Sequence, residues 1–201
     1  MLLATANRHK LTELHRLLSA AGVAGLTVLG LPDLPGYREP AEDGATFEDN
    51  ALIKARAAAT ASGLPALADD SGLSVDALNG MPGVLSARWC GRHGDELANL
   101  RLVLAQIADV PDARRGAQFD CAAALVLPSG EERTLRTSWR GTLAREPRGS
   151  NGFGYDPIFV PDGETRTAAE LGADEKDAAS HRGQALRAML PHLRALTAPR
   201  P

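Results

Sequence analysis

Acidic side chains occur at positions where they could hold a divalent cation. Asp69 and Asp70 directly follow Leu64–Ala68, an apolar run with the length of a buried strand, and Glu42 lies in an acidic loop without periodicity. The chain has only 5 histidines, so carboxylate oxygens are its more abundant candidate metal ligands, and these suit Mg²⁺. Mg²⁺ takes one or two protein carboxylates and keeps water and substrate phosphates as further ligands. Because adjacent strand residues point to opposite faces, Asp69 and Asp70 are expected to have different roles. The local sequence leaves open the alternative of a polar turn at Asp69–Gly72.

The loop Thr5–Lys10 has the features of a phosphate-binding segment. It lies between an apolar stretch at residues 1–5 and a helical pattern, so it presents unpaired backbone N–H groups and the positive end of a helix dipole to an anion. Thr5 and Asn7 add neutral donors and Lys10 adds a charge. The P-loop pattern G-x-x-x-x-G-K-[ST] does not occur in the chain. A plain helix cap at Asn7 with a solvated Lys10 is the alternative interpretation.

Two further segments have side chains suited to a nucleotide. Gly152–Pro157 places Phe153 and Tyr155 between glycines on a loop, where rings on a mobile backbone can stack on a nucleobase, unless they only plug the core. Asn50 and Lys54 are four residues apart on a predicted helix and therefore share one face. That face is directed either to a cleft or to solvent.

Cations gather before the last predicted helix. Lys176 precedes Ser180-His181-Arg182 at the helix start, where positive side chains oppose the helix dipole. An anionic or polar ligand nearby would account for them. Lys10, Lys54 and Lys176 are also the only lysines among 22 basic residues, and a lysine is suited to a single phosphate oxygen. The three lysines therefore mark candidate phosphate contacts.

The elements predicted to position these residues alternate between strands and helices. Strands are predicted at 1–5, Leu26–Leu31, Leu64–Ala68, Ala117–Leu127, Arg133–Leu143 and Pro157–Val160; helices are predicted after Lys10, after the capping box at Thr46–Asp49, at Glu96–Ala108 and from about Ser180. The turn Pro128–Gly130 predicts a hairpin. This alternation indicates an α/β fold with a mixed sheet. Because no linker is evident, we expect a single domain, residues 1–201, of two lobes that share one long sheet, with Thr197–Pro201 as a frayed tail.

Composition and charge exclude several classes of protein. With 201 residues, 44% hydrophobic and 23% charged, the chain is typical of a packed globular protein. A net charge of −3 without a basic block does not favour nucleic acid, and no apolar run approaches the ~20 residues of a membrane helix. The N-terminus lacks a signal pattern, and Cys90 and Cys121 lack C-x-x-C spacing. We therefore expect a cytoplasmic protein that acts on a small molecule, with no nucleic-acid or membrane partner.

Six short motifs together resemble the successive signatures of one enzyme family. They are Thr5-Ala6-Asn7-x-x-Lys10, Thr46-Phe47-Glu48-Asp49-Asn50-Ala51-Leu52-Ile53-Lys54-Ala55, Ala68-Asp69-Asp70-Ser71-Gly72-Leu73, Pro82-Gly83-Val84-Leu85-Ser86-Ala87-Arg88, Phe153-Gly154-Tyr155-Asp156-Pro157 and Ser180-His181-Arg182-Gly183. Each motif is weak alone, but six in order over nearly the whole chain are specific. The sequence resembles the inosine triphosphate pyrophosphatase family.

The resemblance implies a fold and an activity. Members of this family hydrolyse the α–β phosphate bond of inosine, deoxyinosine and xanthosine triphosphates (ITP, dITP and XTP, with dXTP). The products are the monophosphate and pyrophosphate. This hydrolysis removes non-standard purine nucleotides from the precursor pool. They use Mg²⁺, usually act as homodimers, and are two-lobed α/β proteins with the substrate in a central cleft.

The resemblance also implies roles for residues of this chain. Asp70 and Lys54 would be catalytic, and Asp70 would be both metal ligand and proton acceptor, with Glu42 as a second metal carboxylate. Residues that would bind the substrate are Thr5, Asn7, Lys10, Ser71, Phe153, Gly154, Tyr155, Asp156, Lys176, His181 and Arg182. Two positions depart from the family pattern. Ala6 and His9 replace common glycines in the first loop, and Ala41 replaces the first of two adjacent glutamates, which puts the second metal carboxylate in question.

Two other functions use the same residue types. A nucleotide sensor that does not hydrolyse its ligand would have a similar cleft, but it would not need the Asp70 carboxylate facing phosphates. Pyrimidine-directed pyrophosphatases share the catalytic strategy, but Ser180-His181-Arg182 at the last helix favours the purine family.

Overall fold

The structure is a computed structural model that describes residues 1–197; the rest of the tail predicted to fray lies outside the described residues. Its strands and helices follow in the order β1 (Leu2–Leu3), α1 (Arg8–Ala20), α2 (Phe47–Ser62), β2 (Ala66–Val75), α3 (Glu96–Gln106), β3 (Gly116–Val126), β4 (Glu132–Leu143), β5 (Phe159–Pro161), α4 (Ala173–Ala179) and α5 (His181–Ala195). Short 3₁₀ helices occupy several of the connections. No helix in this part of the chain is both long and apolar enough to span a membrane.

The strands form one mixed sheet in the order β1-β2-β3-β4-β5. β1 runs parallel to β2 with Leu2 opposite Ala66, whereas β4 runs antiparallel to β5 with Leu143 opposite Phe159. β3 and β4 are neighbours joined by the predicted turn, in which the Gly130 N–H donates to the Leu127 carbonyl at 2.9 Å. The predicted α/β class with a mixed sheet is confirmed.

Helix α2 begins and ends as its sequence predicts. Thr46 Oγ1 accepts a hydrogen bond from the Asp49 N–H at 3.1 Å, and Asp49 Oδ2 accepts one from the Thr46 N–H at 3.1 Å. This reciprocal pairing satisfies donors that the first helical turn leaves open. Gly63 ends the helix with φ of +67°, a conformation that glycine adopts without steric cost. The buried face is mostly alanine, and it also carries Asn50 and Lys54.

The chain divides into two compact units, each with its own apolar core. Unit 1 comprises Met1–Asp70, Cys121–Thr137 and the described residues from Arg182 onward; unit 2 comprises Ser71–Asp120 and Ser138–His181. The core of unit 1 includes Leu14, Leu67 and Met189. The core of unit 2 includes Val103, Trp139 and Phe159. The assignment of residues 1–201 to a single domain with a central cleft stays a prediction.

The strand predicted at Leu26–Leu31 is reduced to one pairing residue. Leu29 bridges Leu2 in parallel, with its N–H donating to the Met1 carbonyl and its carbonyl accepting from the Leu3 N–H at 2.8 Å. A 3₁₀ helix, Leu31–Asp33, follows directly. Because Pro32 has no N–H to donate to a strand ladder, the extended segment ends there.

Strand β2 is longer than predicted and contains the acidic pair. The sequence predicts its end at Ala68, but the strand continues through Asp69, Asp70 and Gly72 to Val75. The interpretation of Asp69–Gly72 as a polar turn is therefore wrong. Buried carboxylates are tolerated inside a strand only when cations or donors face them, and the tertiary contacts described below supply both.

The segment before the last helix also differs from the prediction. Lys176 lies in a separate short helix, α4, which the sequence pattern does not predict, and α5 starts at His181. The predicted strand at Pro157–Val160 begins only at Phe159, because a 3₁₀ helix occupies Asp156–Ile158. Lys176 is therefore not part of the first turn of α5.

Candidate active site

The first loop of unit 1 caps helix α1 and places Lys10 against the acidic strand. Asn7 is the N-cap of α1, and its Oδ1 accepts from the His9 N–H at 2.9 Å. Thr5 Oγ1 accepts from the Asn7 N–H at 3.1 Å. Lys10 is not a solvated surface residue, since its side chain is only 13% exposed and its Nζ lies 2.7 Å from Asp69 Oδ2. The loop therefore places a buried ammonium group beside the acidic strand.

Asp69 is the centre of a buried network of alternating charges in unit 1. Its Oδ2 pairs with Lys10 Nζ and accepts from Arg182 Nε at 3.1 Å, while Arg182 Nη1 lies 3.2 Å from Glu13 Oε2. Burial alone would raise the pKa of Asp69, but the nearby Lys10 and Arg182 charges hold it well below its usual range. Asp69 is therefore a fixed anion that holds two buried cations.

Within this network the pKa of Lys10 is lowered, chiefly by burial, and that of Arg182 is raised. For Lys10, loss of solvation by burial is the largest cause, and attraction by Asp69 does not fully offset it. For Arg182, burial acts in the lowering direction, and the charges of Asp69 and Glu13 outweigh it. The predicted need for an anion near Arg182 is thus met by two carboxylates of the protein itself.

Asp70 faces a different set of partners from Asp69, as its adjacent strand position predicts. Asn50 Nδ2 donates to Asp70 Oδ2 at 3.0 Å. Lys54 Nζ lies 3.6 Å from Asp70 Oδ1 and 3.0 Å from Glu42 Oε1. The structure therefore brings together the two candidate catalytic residues, Asp70 and Lys54, and the second candidate metal carboxylate, Glu42.

One ammonium group in this cluster serves two carboxylates. Burial raises the pKa of Asp70, and although Lys54 lowers it, the negative charge of Glu42 raises it again, so the net shift is upward. For Lys54, burial lowers the pKa, but Asp70 and Glu42 outweigh burial and the net shift is upward. When Asp70, Glu42 and Lys54 are all ionised, the cluster has a net charge of −1. A net negative charge of this kind favours the binding of a cation.

Residues with no assigned role in the sequence complete this cluster. Asn50 is fully buried, and besides holding Asp70 it accepts from the Gly44 N–H at 2.9 Å, which ties the acidic loop to α2. A Cβ at Gly44 would lie 2.7 Å from Asn50 Oδ1, so only glycine fits there. The spacing of Asn50 and Lys54 is the sequence signal that could have identified Asn50. Nothing in the sequence marks Gly44 or Glu13.

The carboxylates do not form a closed metal cage. In residues 1–197, no group of three or more His, Cys, Asp or Glu side chains is placed to hold a metal ion. Asp70 and Glu42, which share Lys54, are two oxygen donors of the type that Mg²⁺ prefers.

The aromatic loop of unit 2, defined as Gly152–Asp156, is held by hydrogen bonds and an ion pair. Asp156 Oδ2 accepts from the Phe153 N–H at 2.8 Å and forms an ion pair with Lys176. Lys176 Nζ also lies 5.3 Å from the centre of the Phe153 ring. The Gly154 N–H donates to Glu96 Oε2 at 2.9 Å. Phe153 therefore has a defined place beside a partly buried cation.

Three other predicted substrate contacts of unit 2 lie in different surroundings. Tyr155 belongs to the apolar core, and its hydroxyl donates to the Ser86 carbonyl at 2.9 Å. His181 is buried and stacks on Phe119 with ring centres 4.8 Å apart. Ser71 is half-buried and follows Asp70 in β2. Burial of Tyr155 also raises its pKa.

We expect Gly152→Ala to destabilise the protein more than Gly163→Ala. Both glycines have positive φ, +78° and +84°, and a side chain in that conformation costs about 1–2 kcal/mol. A Cβ at Gly152 would also overlap Asp156 Oδ2 and lie 2.7 Å from Lys176 Nζ, whereas nothing lies within 4 Å of one at Gly163. We expect a total loss of about 3 kcal/mol for Gly152→Ala, because the buried ion pair must move. Urea unfolding of both variants measures the difference, and equal losses would contradict the loop geometry.

Comparisons with known proteins agree over nearly the full length of the chain. The model of the Ham1 family matches residues 1–192. A protein of Nocardia farcinica named dITP/XTP pyrophosphatase is 62% identical over 98% of this chain and 95% of its own length. A Mycobacterium tuberculosis protein of the same name is 61% identical over 98% of this chain and 96% of its own length.

Solved structures give the same result. The crystal structure of a nucleoside-triphosphatase / dITP/XTP pyrophosphatase from Mycobacterium abscessus is 61% identical, with a TM-score of 0.78 over 96% of this chain and 98% of that one. A HAM1 protein from Coxiella burnetii is 42% identical, with a TM-score of 0.87 and the same coverage of both chains. The acidic cluster on β2 and the matches in sequence and structure lead to one conclusion: this chain belongs to the Ham1 family.

Proposed function

We propose that this chain is a nucleoside-triphosphate pyrophosphatase that hydrolyses dITP, XTP and ITP to the monophosphate and pyrophosphate. The names of relatives that are about 60% identical over nearly the whole chain support the substrate class. The observation that carries the chemistry is the buried Asp70 carboxylate, held by Asn50 and placed beside Lys54 and Glu42. Asp70 has the charge and position to act on a water molecule next to phosphate groups.

In this proposal Asp70 orients the attacking water and accepts its proton. Asn50 fixes one carboxylate oxygen by donating to Oδ2, which leaves Oδ1 on the side of Lys54. The water adds to the α-phosphorus, the α–β bond breaks, and pyrophosphate leaves with the electron pair of that bond.

Cationic side chains of unit 1 offset the charge of the phosphates in this proposal. Lys54 is adjacent to the reacting carboxylate, and Lys10 is held at the start of α1, where the helix dipole also favours an anion. Asn7 and Thr5 set the conformation of that loop through their hydrogen bonds. Lys10 therefore contributes a preoriented positive charge to substrate binding.

We propose Mg²⁺ as the cofactor, held by Asp70 and Glu42. The excess negative charge of the Asp70, Glu42 and Lys54 cluster and its oxygen donors fit this ion. When bound, Mg²⁺ would polarise the phosphoryl group and neutralise charge that develops during hydrolysis. Two protein carboxylates would be enough to hold this ion, because Mg²⁺ usually takes its remaining ligands from water and substrate phosphates.

The residues of unit 2 are proposed to contact the nucleoside. Phe153 offers a half-buried ring for stacking, with Gly154, Asp156, Lys176 and His181 as further candidates. The proposed role of Arg182 in reading the base competes with its observed pairing to Asp69 and Glu13. We further propose a cytoplasmic homodimer, on the basis of the resemblance described from the sequence.

Analysis of the reaction products tests this function directly. With ITP or XTP and Mg²⁺, we expect pyrophosphate and the nucleoside monophosphate in equal amounts, and little product from ATP. Because the proposed charge compensation requires a divalent ion, excess chelator should abolish turnover and added Mg²⁺ should restore it. Primary release of orthophosphate, or full activity in excess chelator, would overturn the proposal. Binding of ITP without any hydrolysis would indicate a nucleotide sensor instead.

A further inference from the structure

We propose that Glu96, in the first turn of α3, is a positioning residue that holds the aromatic loop in the conformation that receives the nucleoside. This inference rests on the proposed function, because it gives a role to a residue outside the six motifs. It starts from the contact between Glu96 Oε2 and the Gly154 N–H, at 2.9 Å.

The backbone around Phe153 has unusual freedom that must be restricted. Gly152 and Gly154 flank Phe153, and both have positive φ, +78° and +63°. Glycine reaches these conformations and many others at similar energy, so two glycines make the position of the intervening ring costly to fix. Without further contacts the Phe153 ring would sample many orientations.

Two carboxylates supply that restriction by accepting hydrogen bonds from the backbone at Phe153 and at the residue after it. Asp156 accepts the N–H of Phe153, and Glu96 accepts the N–H of the next residue, Gly154. Asp156 is itself held by Lys176. Consecutive backbone amides thus donate to carboxylate oxygens that belong to different elements. Glu96 is the member of this pair that has no other proposed role in the reaction.

A simpler explanation for Glu96 is the helix dipole. An acidic residue in the first turn of any helix is favourable, and α3 already has Asp95 as its N-cap, with Oδ1 accepting from the Ala98 N–H at 3.1 Å. The two explanations differ in which property of Glu96 matters. The dipole requires the charge, whereas the loop requires an acceptor oxygen at that position.

These explanations can be separated with three variants: Glu96→Ala, Glu96→Gln and Leu97→Ala. Glutamine keeps the acceptor oxygen and loses the charge, and Leu97, 53% exposed on the same turn, is a control for changes to the helix itself. For Glu96→Ala we expect a rise of about three- to ten-fold in KM for ITP, the size of one lost hydrogen bond, with kcat within about two-fold. Glu96→Gln and Leu97→Ala should keep a KM close to that of the unmodified protein.

Amide hydrogen exchange at Gly154 provides a measurement that does not depend on activity. We expect about ten-fold faster exchange of this amide in Glu96→Ala than in the unmodified protein or Glu96→Gln, because one hydrogen bond is lost. Equal exchange in all variants, or a Glu96→Gln that behaves as Glu96→Ala does, would overturn the proposal. If the unmodified protein released no pyrophosphate from ITP, the proposed function would fail, while the exchange rates would still decide whether Glu96 holds the loop.

Discussion

Asp70→Asn is expected to lower kcat for ITP by at least about 10²–10⁴-fold, the usual contribution of a general base, and loss of a proposed Mg²⁺ ligand should increase the effect. The amide keeps the shape of the side chain and can still accept from Asn50, but it loses the charge and the basicity that the proposed proton transfer needs. Nucleotide binding should stay measurable, because Lys10 and the aromatic loop are unchanged. Steady-state pyrophosphate release and calorimetric binding of ITP measure the two effects separately.

Asp76→Asn is the matched control for this prediction. Asp76 directly follows β2, is exposed, and its Oδ1 accepts from Arg140 Nη1 at 2.9 Å. Exposed ion pairs contribute about 0–1 kcal/mol, so this variant should retain kcat within about two-fold. Equal kinetic losses at positions 70 and 76 would show that the acidic cluster is not the reacting site.

Asp69→Ala is expected to destabilise the fold by about 3–5 kcal/mol, the usual cost of removing one partner from a buried ion pair. The variant leaves the cations of Lys10 and Arg182 buried without the carboxylate that both of them contact. Asp112→Ala is the control, because Asp112 pairs with Arg145 at 2.7 Å on the surface, with side chains 78% and 54% exposed. Urea unfolding at pH 7 should show a large loss for the first variant and little for the second.

The two neighbouring aspartates should have opposite effects on stability. At pH 7 the ionised Asp69 stabilises the fold, because its pKa is lowered in the folded state. The ionised Asp70 opposes folding, because burial and Glu42 raise its pKa in the folded state. Asp70→Asn should therefore unfold at an equal or higher urea concentration than the unmodified protein. A large loss of stability in Asp70→Asn would contradict the excess negative charge of its cluster.

Local features of the sequence determined much of the fold. The capping box at Thr46 and Asp49 and the glycine at 63 set the limits of α2, because they satisfy backbone groups within one helical turn. The hairpin between β3 and β4 follows from its turn residues and from the apolar runs on both sides. Six motifs in order also sufficed to indicate the family, although each one alone was consistent with an ordinary turn or cap.

The predictions that were wrong concern residues whose state depends on distant contacts. The sequence favoured a strand end before Asp69, but Lys10, Arg182, Asn50 and Lys54, from three helices, provide partners that allow the strand to continue. The short helix α4 that carries Lys176 was not predicted either, and the pairing of Lys176 with Asp156 in the aromatic loop is likewise a contact between residues distant in sequence.

The sequence by itself determined which residue types could do chemistry and the order of the elements that carry them. Only the tertiary structure decided which carboxylate is a fixed counterion and which has excess negative charge around it. Asp69 and Asp70 are adjacent and chemically identical, so the difference between their pKa values comes from the residues that the fold places around each of them. Burial removes solvent from both carboxylates and by itself raises both pKa values. For Asp69 the charges of Lys10 and Arg182 more than offset this cost, so its pKa is lowered. For Asp70 the ammonium group of Lys54, which is shared with Glu42, does not offset it, so its pKa is raised.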